Sequence, residues 1–394
     1  MSNRILYLQY TNPAAYPSLE HSSRILANDG WQVLFLGTGA FGADALRFPP
    51  HERITVKQMP FQPPGWRQKL HYLRFGLWAL AWTLRWCPQW VYASDMLSTP
   101  VALLLSFLPG VRIIYHEHDS PIVDCGLWIA DRGSRILDFM RFVLWTRRRL
   151  AQRAQLCVLP NERRARHFAS SVTNGRPVIT VWNCPSLEEV SPRRMVEDER
   201  VICLWYHGSL VPSRLPPTVL YALAMLPDAI KLRAVGYETV GHPGYARELC
   251  DLARALGIEA RVEIQGPRSR QELLKECCRA DIGLALMSRR NNDVNFRWMV
   301  GASNKPFDYL ACGLALLVSD LPDWREMYVA PGYGLACNPD DPESIAAALR
   351  WFLEHPVERR EMGERGRQRI VQEWNYERQF APVWGRLNDK QNLW

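Results

Sequence analysis

The run Ser303-Asn304-Lys305-Pro306-Phe307-Asp308-Tyr309-Leu310-Ala311-Cys312-Gly313 holds the residues best placed to do chemistry. Ser303 is a favourable helix N-cap, Pro306 is tolerated in a first turn, and Gly313 is a good terminator. Leu314 to Val318 then has the short apolar pattern of a buried strand. Lys305 falls in the first turn, where its charge opposes the partial positive charge of the exposed amides unless an anion sits in front of it. A phosphate would resolve that conflict. Asp308, about one turn on, has the acceptors to bind a neutral diol such as a ribose. The alternative for the same residues is a solvated lysine and a surface aspartate.

The elements that must position this run alternate between strand and helix patterns. In the first half the strands are Arg4 to Tyr10, Gln32 to Leu36, Ile54 to Gln58, Trp90 to Ala93, Arg112 to His116, Leu156 to Leu159 and Val178 to Val181. Helices are expected near Ser18 to Asn28, Arg67 to Trp86 and Ser134 to Gln152. Residues 189–200, with a charged run and prolines close by, have the composition of a linker. The alternation then restarts, with strands at Val201 to Tyr206, Lys231 to Val235, Arg261 to Gln265, Asp281 to Met287 and Leu314 to Val318. Helices are expected near Pro217 to Leu226, Tyr245 to Leu256, Arg270 to Arg279 and Pro306 to Ala311, then two more from Pro342 to Glu373.

Such alternation predicts an α/β chain with two doubly wound parallel sheets. The first spans residues 1–188, with 376–394 returning to it, and the second spans 201–375. In such sheets ligands bind beyond the carboxyl ends of the strands. There the second half places His207-Gly208-Ser209, Gly236-Tyr237-Glu238, Gly266-Pro267 and Met287-Ser288, the glycines allowing close backbone approach to a ligand.

Length supports two domains in 394 residues. No apolar stretch reaches the roughly 18 residues needed to span a bilayer, and the N-terminus lacks the pattern of a signal peptide, which predicts a cytosolic chain. The ten cysteines form no C-x-x-C pair, so neither disulfides nor structural zinc is expected. The net charge of +8 belongs to the first half. Residues 1–190 hold 21 Lys and Arg against 13 Asp and Glu, whereas residues 191–394 hold 27 of each. No carboxylate occurs between Glu52 and Asp95, which predicts a one-signed surface.

Several motifs are excluded by context. Gly37-Thr38-Gly39-Ala40-Phe41-Gly42 matches G-x-G-x-x-G, but it follows the second strand and Pro49-Pro50 cuts short any helix, so a loop without a dinucleotide is expected. There is no P-loop, no H-E-x-x-H and no D-x-D. Phosphate would then be neutralised by Arg, Lys and backbone amides, with no metal. No RNP-like, helix-turn-helix or zinc signature accompanies the basic charge, so nucleic acid is not an expected partner. Tyr115-His116-Glu117-His118-Asp119 ends a strand with both histidines on one face and Glu117 on the other. That arrangement admits an active-site histidine, a hydrogen-bonded structural cluster or a metal pair lacking a third ligand.

Taken together, the paired sheets, the Tyr115 to Asp119 pattern, Val181-Trp182-Asn183-Cys184-Pro185, the Tyr206-His207-Gly208-Ser209 turn with Arg214 behind it, and Ser303 to Gly313 resemble retaining GT-B glycosyltransferases of family 4. The resemblance implies two Rossmann-like domains facing each other across a cleft and transfer of a sugar from a UDP- or GDP-type donor. The acceptor would be a saccharide or lipid-linked saccharide, with retention and no metal or other cofactor. It also implies that Gly208, Ser209, Arg214 and Lys305 contact the donor diphosphate and that Asp308 holds the ribose. Gly266, Pro267 and Arg268 would lie near the base. Ser303 and Asn304 would add hydrogen-bond donors, Met287 would line the donor site, and His118 would face the transferred sugar. Catalysis would fall to His118, Arg214 and Lys305. The family's usual first acid, eight residues before the second, is Val300 here. A sugar-nucleotide epimerase and a non-catalytic assembly subunit are the alternatives on the same fold.

The helix near Arg67 to Trp86 carries Trp78, Trp82 and Trp86 on one side, along with Arg67, Lys69, Arg74 and Arg85. Those tryptophans have two readings, a stripe packed on the sheet or an interfacial face that meets anionic lipid, helped by the basic segment Arg141 to Arg153. The second would make the protein peripheral at the inner face of a membrane.

Overall fold

Apolar runs of three to nine residues form two parallel sheets in a computed structural model. It describes residues 3–40, 46–121, 134–173, 178–191, 201–239, 241–288 and 294–389. The chain divides into two compact units, residues 1–182 with 293–302 and 379–394, and residues 183–292 with 303–378. Most of the segment 189–200 lies outside the described residues, as do Phe41 and Gly42 of the G-x-G-x-x-G match.

The first unit has strands β1 Arg4–Leu8, β2 Gln32–Thr38, β3 Ile54–Met59, β4 Trp90–Ser94, β5 Arg112–His116, β6 Leu156–Leu159 and β7 Val178–Thr180. They lie in the order β3-β2-β1-β4-β5-β6-β7. Its helices are α1 Pro17–Asn28, α2 Trp66–Trp86, α3 Thr99–Leu105, α4 Ser134–Arg153 and α5 Glu162–Phe168. Both faces of the sheet are covered, so the central strands are apolar throughout, with Ile5 to Leu8 and Val33 to Leu36 buried. Gly37 has a packing reason of its own, because a Cβ there would lie 2.9 Å from the Thr11 carbonyl oxygen.

The second unit has β8 Ile202–Leu210, β9 Ile230–Glu238, β10 Val262–Gln265, β11 Ile282–Ala285, β12 Ala315–Ser319 and β13 Gly334–Cys337, in the order β10-β9-β8-β11-β12-β13. In chain order the following helices are α6 Thr218–Ala224, α7 Tyr245–Ala255, α8 Arg270–Cys277, α9 Val294–Arg297, α10 Asn304–Ala311, α11 Pro322–Trp324, α12 Pro342–Glu354, α13 Pro356–Gln372 and α14 Tyr376–Asn388. Of these, α9 and residues 379–388 of α14 group with the first unit. The turn expected at His207 to Ser209 is instead strand. β8 continues to Leu210, paired residue for residue with β9 through Leu210 and Glu238. The two glycines in register make this possible, since a Cβ on Gly236 would lie 1.8 Å from the Gly208 carbonyl oxygen.

Helix α2 turns the three tryptophans of that stripe the other way from the interfacial expectation. Trp78, Trp82 and Trp86 pack against the core of the first unit. The exposed apolar stripe is Trp66, Leu70, Leu73, Leu77 and Leu84, each between 44% and 71% accessible. Among the described residues no helix is long and apolar enough to cross a membrane.

Candidate functional site

In the second unit two cations converge on the carboxyl end of β8. Gly208 has φ 112°, a conformation that suits glycine, and a Cβ placed on it would come within 3.2 Å of both Cε and Nζ of Lys305. The Lys305 side chain therefore passes directly over the Gly208 backbone, with its ammonium 5.5 Å from the Tyr206 ring centre. Lys305 is the second residue of α10, and Ser303 at the N-cap makes no side-chain capping bond to the helix amides. Burial first, and then the charge of Arg214, push the Lys305 ammonium well below its usual pKa, with Asp308 only partly offsetting them. Positive charge is thus concentrated where the helix start already disfavours it.

Asp308 lies at the centre of a buried network. Its carboxylate is 1% exposed and accepts from both terminal nitrogens of Arg270, at 2.9 and 3.2 Å, and from His207 Nε2 at 3.2 Å. Trp205 Nε1 donates to His207 Nδ1 at 2.9 Å. Because an indole can only donate, this bond fixes the His207 tautomer with its proton on Nε2, facing Asp308. Arg270 also binds both oxygens of Glu189, one of them at 2.8 Å. Burial opposes ionisation of Asp308, yet Arg270 and the His207 hydrogen bond hold its pKa below the usual value. The acid expected to hold a ribose is therefore engaged within the protein.

The other expected donor-site residues are separate in their bonding. Gly266 has open space around it, and Arg268 donates to Gln265 Oε1 at 3.0 Å and lies 3.7 Å from Glu276. Met287 is buried, its amide and carbonyl both bonded to Ser319 Oγ at 2.7 and 2.8 Å, which ties the ends of β11 and β12 together. None of these bonds reaches Lys305, Arg214 or Asp308.

In the first unit the strand-end histidines form a hydrogen-bonded cluster. His118 Nε2 is 3.1 Å from Ser94 Oγ, its Nδ1 is 3.5 Å from Ser18 Oγ, and its ring centre is 3.8 Å from that of His116. His116 Nδ1 is 2.6 Å from the Tyr92 hydroxyl. Burial, and then the charge of Arg164, lower the His118 pKa to about 3, so the ring is neutral near pH 7. Glu117 points to the opposite side, where Arg147 donates to both its oxygens and the Tyr115 hydroxyl donates at 2.7 Å. Among the described residues no group of three potential metal ligands occurs here or elsewhere. Arg164, itself buried, donates to the carbonyls of His118 at 2.7 Å, Asn295 at 2.7 Å and Trp298 at 3.0 Å. Those bonds bring residues 294–302, including Val300, into the first unit.

Two family profiles match this chain in tandem and together cover most of it. Residues 17–184 match a glycosyl transferase 4-like domain and residues 218–383 a glycosyl transferase-like domain. The chain belongs to the GT4-type GT-B glycosyltransferases. It is accordingly a glycosyltransferase. Solved structures share the fold over the whole length. Sucrose-phosphate synthase from Thermosynechococcus elongatus is 16% identical, with TM-score 0.72 over 98% of each chain. Anabaena HepE in complex with UDP and glucose is 16% identical, with TM-score 0.69 over 98% of this chain and 99% of that one. The lipopolysaccharide glycosyltransferase WaaG is 14% identical, with TM-score 0.67 over 98% of this chain and 100% of that one. No curated protein sequence matches the chain.

Sequence reasoning missed Arg270, Glu189 and Arg164. For Arg270 a signal was present. Ser269 and Glu272 form a capping box that starts α8, which places Arg270 at the first helical position, a cation at a helix start like Lys305. For Arg164 no local signal existed, since its partners are 46 to 134 residues away.

Proposed function

We propose that this glycosyltransferase binds the diphosphate of a UDP-sugar, or failing that a GDP-sugar, at Arg214, Lys305 and the backbone of Gly208 and Ser209. The observation that carries this is the Lys305 ammonium lying over Gly208 at the uncapped start of α10, with the charge of Arg214 acting on it. A departing nucleoside diphosphate develops negative charge on its leaving oxygen, and fixed cations and amides in a low-dielectric site stabilise it more than they stabilise the intact donor. Two side-chain cations can supply that charge without a metal. Uridine is put first because Anabaena HepE was solved with UDP and with UDP-glucose. Gly266, Pro267, Arg268 and Met287 would line the base and sugar, with Ser303 and Asn304 adding donors. His118, neutral and hydrogen-bonded, would serve the transferred sugar as a hydrogen-bonding group. Retention is the stereochemical outcome proposed, and the anomeric proton coupling of the first-formed product reports it.

Calorimetry with UDP, GDP and diphosphate tests the donor site. Lys305→Ala and Arg214→Ala should each weaken nucleoside diphosphate binding by about 1.5 to 3 kcal/mol, the range for charge-assisted hydrogen bonds. Unchanged affinity in both variants would remove the assignment.

The acceptor proposed is a saccharide or lipid-linked saccharide presented at the inner face of a membrane. The exposed stripe on α2 supports this, because Trp66, Leu70, Leu73, Leu77 and Leu84 share their surface with Arg67, Lys69, Arg74 and Arg85 and no carboxylate lies in that part of the chain. Sedimentation with vesicles should show binding that requires anionic lipid and fades with salt. Equal binding to neutral vesicles, or none to either kind, would favour a soluble saccharide.

A further inference from the structure

Asp308 is the acid expected to hold a ribose, and its capacity to accept hydrogen bonds is nearly spent. An ionised carboxylate offers about four lone-pair sites, two on each oxygen. Oδ2 accepts from Arg270 Nη1 at 3.2 Å and from His207 Nε2 at 3.2 Å, while Oδ1 accepts from Arg270 Nη2 at 2.9 Å. One site remains, on Oδ1. The paired bonds from the two terminal nitrogens of Arg270 run along the edge of the carboxylate that spans both oxygens. A vicinal diol would need the same edge.

Arg270 is anchored from a second side. It donates to both oxygens of Glu189, through Nε and, at 2.8 Å, through Nη2, and Glu189 also accepts from the Ser186 amide at 3.0 Å. The Arg270 side chain is 12% exposed. Moving it aside for a diol would strip a buried guanidinium of two carboxylates, and a neutral diol returns none of that charge. His207 is fixed too, because the bond from Trp205 Nε1 keeps its proton on Nε2, facing Asp308. Both acids of this cluster are therefore committed to Arg270.

Nucleotide sites commonly read a ribose through an acid that accepts from its 2′-hydroxyl. A site built to pair a substrate hydroxyl rejects the analogue lacking it, because its own buried group is then left unpaired. A group already paired within the protein carries no such penalty. We propose that Arg270 occupies the diol-binding edge of Asp308, so that the donor site does not read the 2′-hydroxyl and takes 2′-deoxyribonucleoside diphosphate sugars as readily as ribonucleoside ones. This rests on the donor site proposed above and names Arg270 as the residue that widens the donor class. The diphosphate is common to both classes, so Lys305 and Arg214 serve either. The acceptor left on Oδ1 suffices for a 3′-hydroxyl, which both sugars carry.

Calorimetry with two pairs, UDP with 2′-deoxy-UDP and GDP with 2′-deoxy-GDP, tests this, since the members of a pair differ only at the 2′ position. Wild type should bind the two members of whichever pair it prefers within about threefold of each other. Arg270→Met, checked for folding by its thermal transition, exposes the edge of Asp308 and should favour the ribonucleotide by about fivefold or more. A wild-type preference for the ribonucleotide beyond threefold overturns the inference and leaves the donor site standing. A folded Arg270→Met variant that still binds both members equally overturns it as well. Should that variant not fold, the wild-type comparison decides alone. Wild type that binds none of the four nucleotides overturns the donor site and this inference with it.

Discussion

Two helices of the second unit begin with a cation, and they resolve the same conflict in different ways. Arg270 opens α8 and reaches two carboxylates, Glu189 and Asp308. Lys305 stands in the first turn of α10 and, among the described residues, forms no ion pair, while Arg214 adds a second positive charge beside it. The amide dipoles oppose both side chains equally. At α8 the protein supplies the anion itself, and Arg270 is held far above its usual pKa once those carboxylates outweigh burial. At α10 it does not, and Lys305 is held well below. A cation at a helix start therefore points to an anion in general. A ligand site is marked only where the fold leaves that anion to be supplied.

The sharpest way to break this contrast is to remove the anion at α8. Asp308→Ala and Arg270→Met each leave part of a buried ion network unpaired, which costs about 3 to 5 kcal/mol of stability. The pH dependence should also change sign in Arg270→Met. In wild type the depressed Asp308 pKa contributes stability that is present above the ordinary carboxylate range and lost as pH falls through the folded value. Without Arg270, burial dominates and raises that pKa, so stability should decline as pH rises. Denaturant unfolding of both variants between pH 4 and 8 checks this, and a cost below about 1 kcal/mol would show the network to be incidental.

At α10 the opposite outcome is expected. Lys305→Met removes a half-buried cation that forms no ion pair among the described residues and that Asp308 offsets only in part, so the variant should melt above wild type near pH 7. A lysine whose folded pKa is depressed withholds stability below that value and restores it as pH rises towards its unfolded pKa. The advantage of Lys305→Met should therefore shrink as pH is raised from neutral towards 10. Added UDP should reverse the order by stabilising wild type alone. A variant that melts below wild type at every pH, with UDP absent, would assign Lys305 a structural role.

The two helix starts also show how far the sequence could be read. Lys305, Gly208 and Arg214 lie in local patterns, a cap, a glycine at a strand end and a basic residue shortly after it, and the structure lays Lys305 over Gly208 within the electrostatic reach of Arg214. The engagement of Asp308 was not legible, because Glu189 and Arg270 are 81 residues apart and Arg270 and Asp308 are 38 apart. The strands and most of the longer helices followed from periodicity to within a few residues, whereas α14, with Pro382 inside it, reads in the sequence only as a segment returning to the first domain. The other misses were short. α3 is an almost wholly apolar heptamer, for which period cannot separate strand from helix, and α5, Glu162–Phe168, has too little apolar pattern to show a face. β13 spans four residues at a sheet edge.

The smallest effect separates the buried histidines of the two units from proton carriers. His207 is fixed as a neutral tautomer between Trp205 and Asp308, and His118 is neutral because burial, with Arg164, brings its pKa to about 3. His116 is likewise held well below its usual pKa, by burial and then by His118. A histidine with a depressed folded pKa contributes stability that is complete above its unfolded value near 6.5 and lost as pH falls towards the folded one. For His118 that loss reaches about 2 kcal/mol at pH 5, at 1.36 kcal/mol for each unit below 6.5. His118→Gln keeps a side chain able to hydrogen-bond Ser94 or Ser18 and removes the titration. Its stability should therefore fall less than that of wild type between pH 7 and 5, and its turnover should show no new inflection near 6.5. An inflection near 6.5 in wild type that disappears in His118→Gln would instead make His118 a proton carrier and place it with the titrating groups of the reaction.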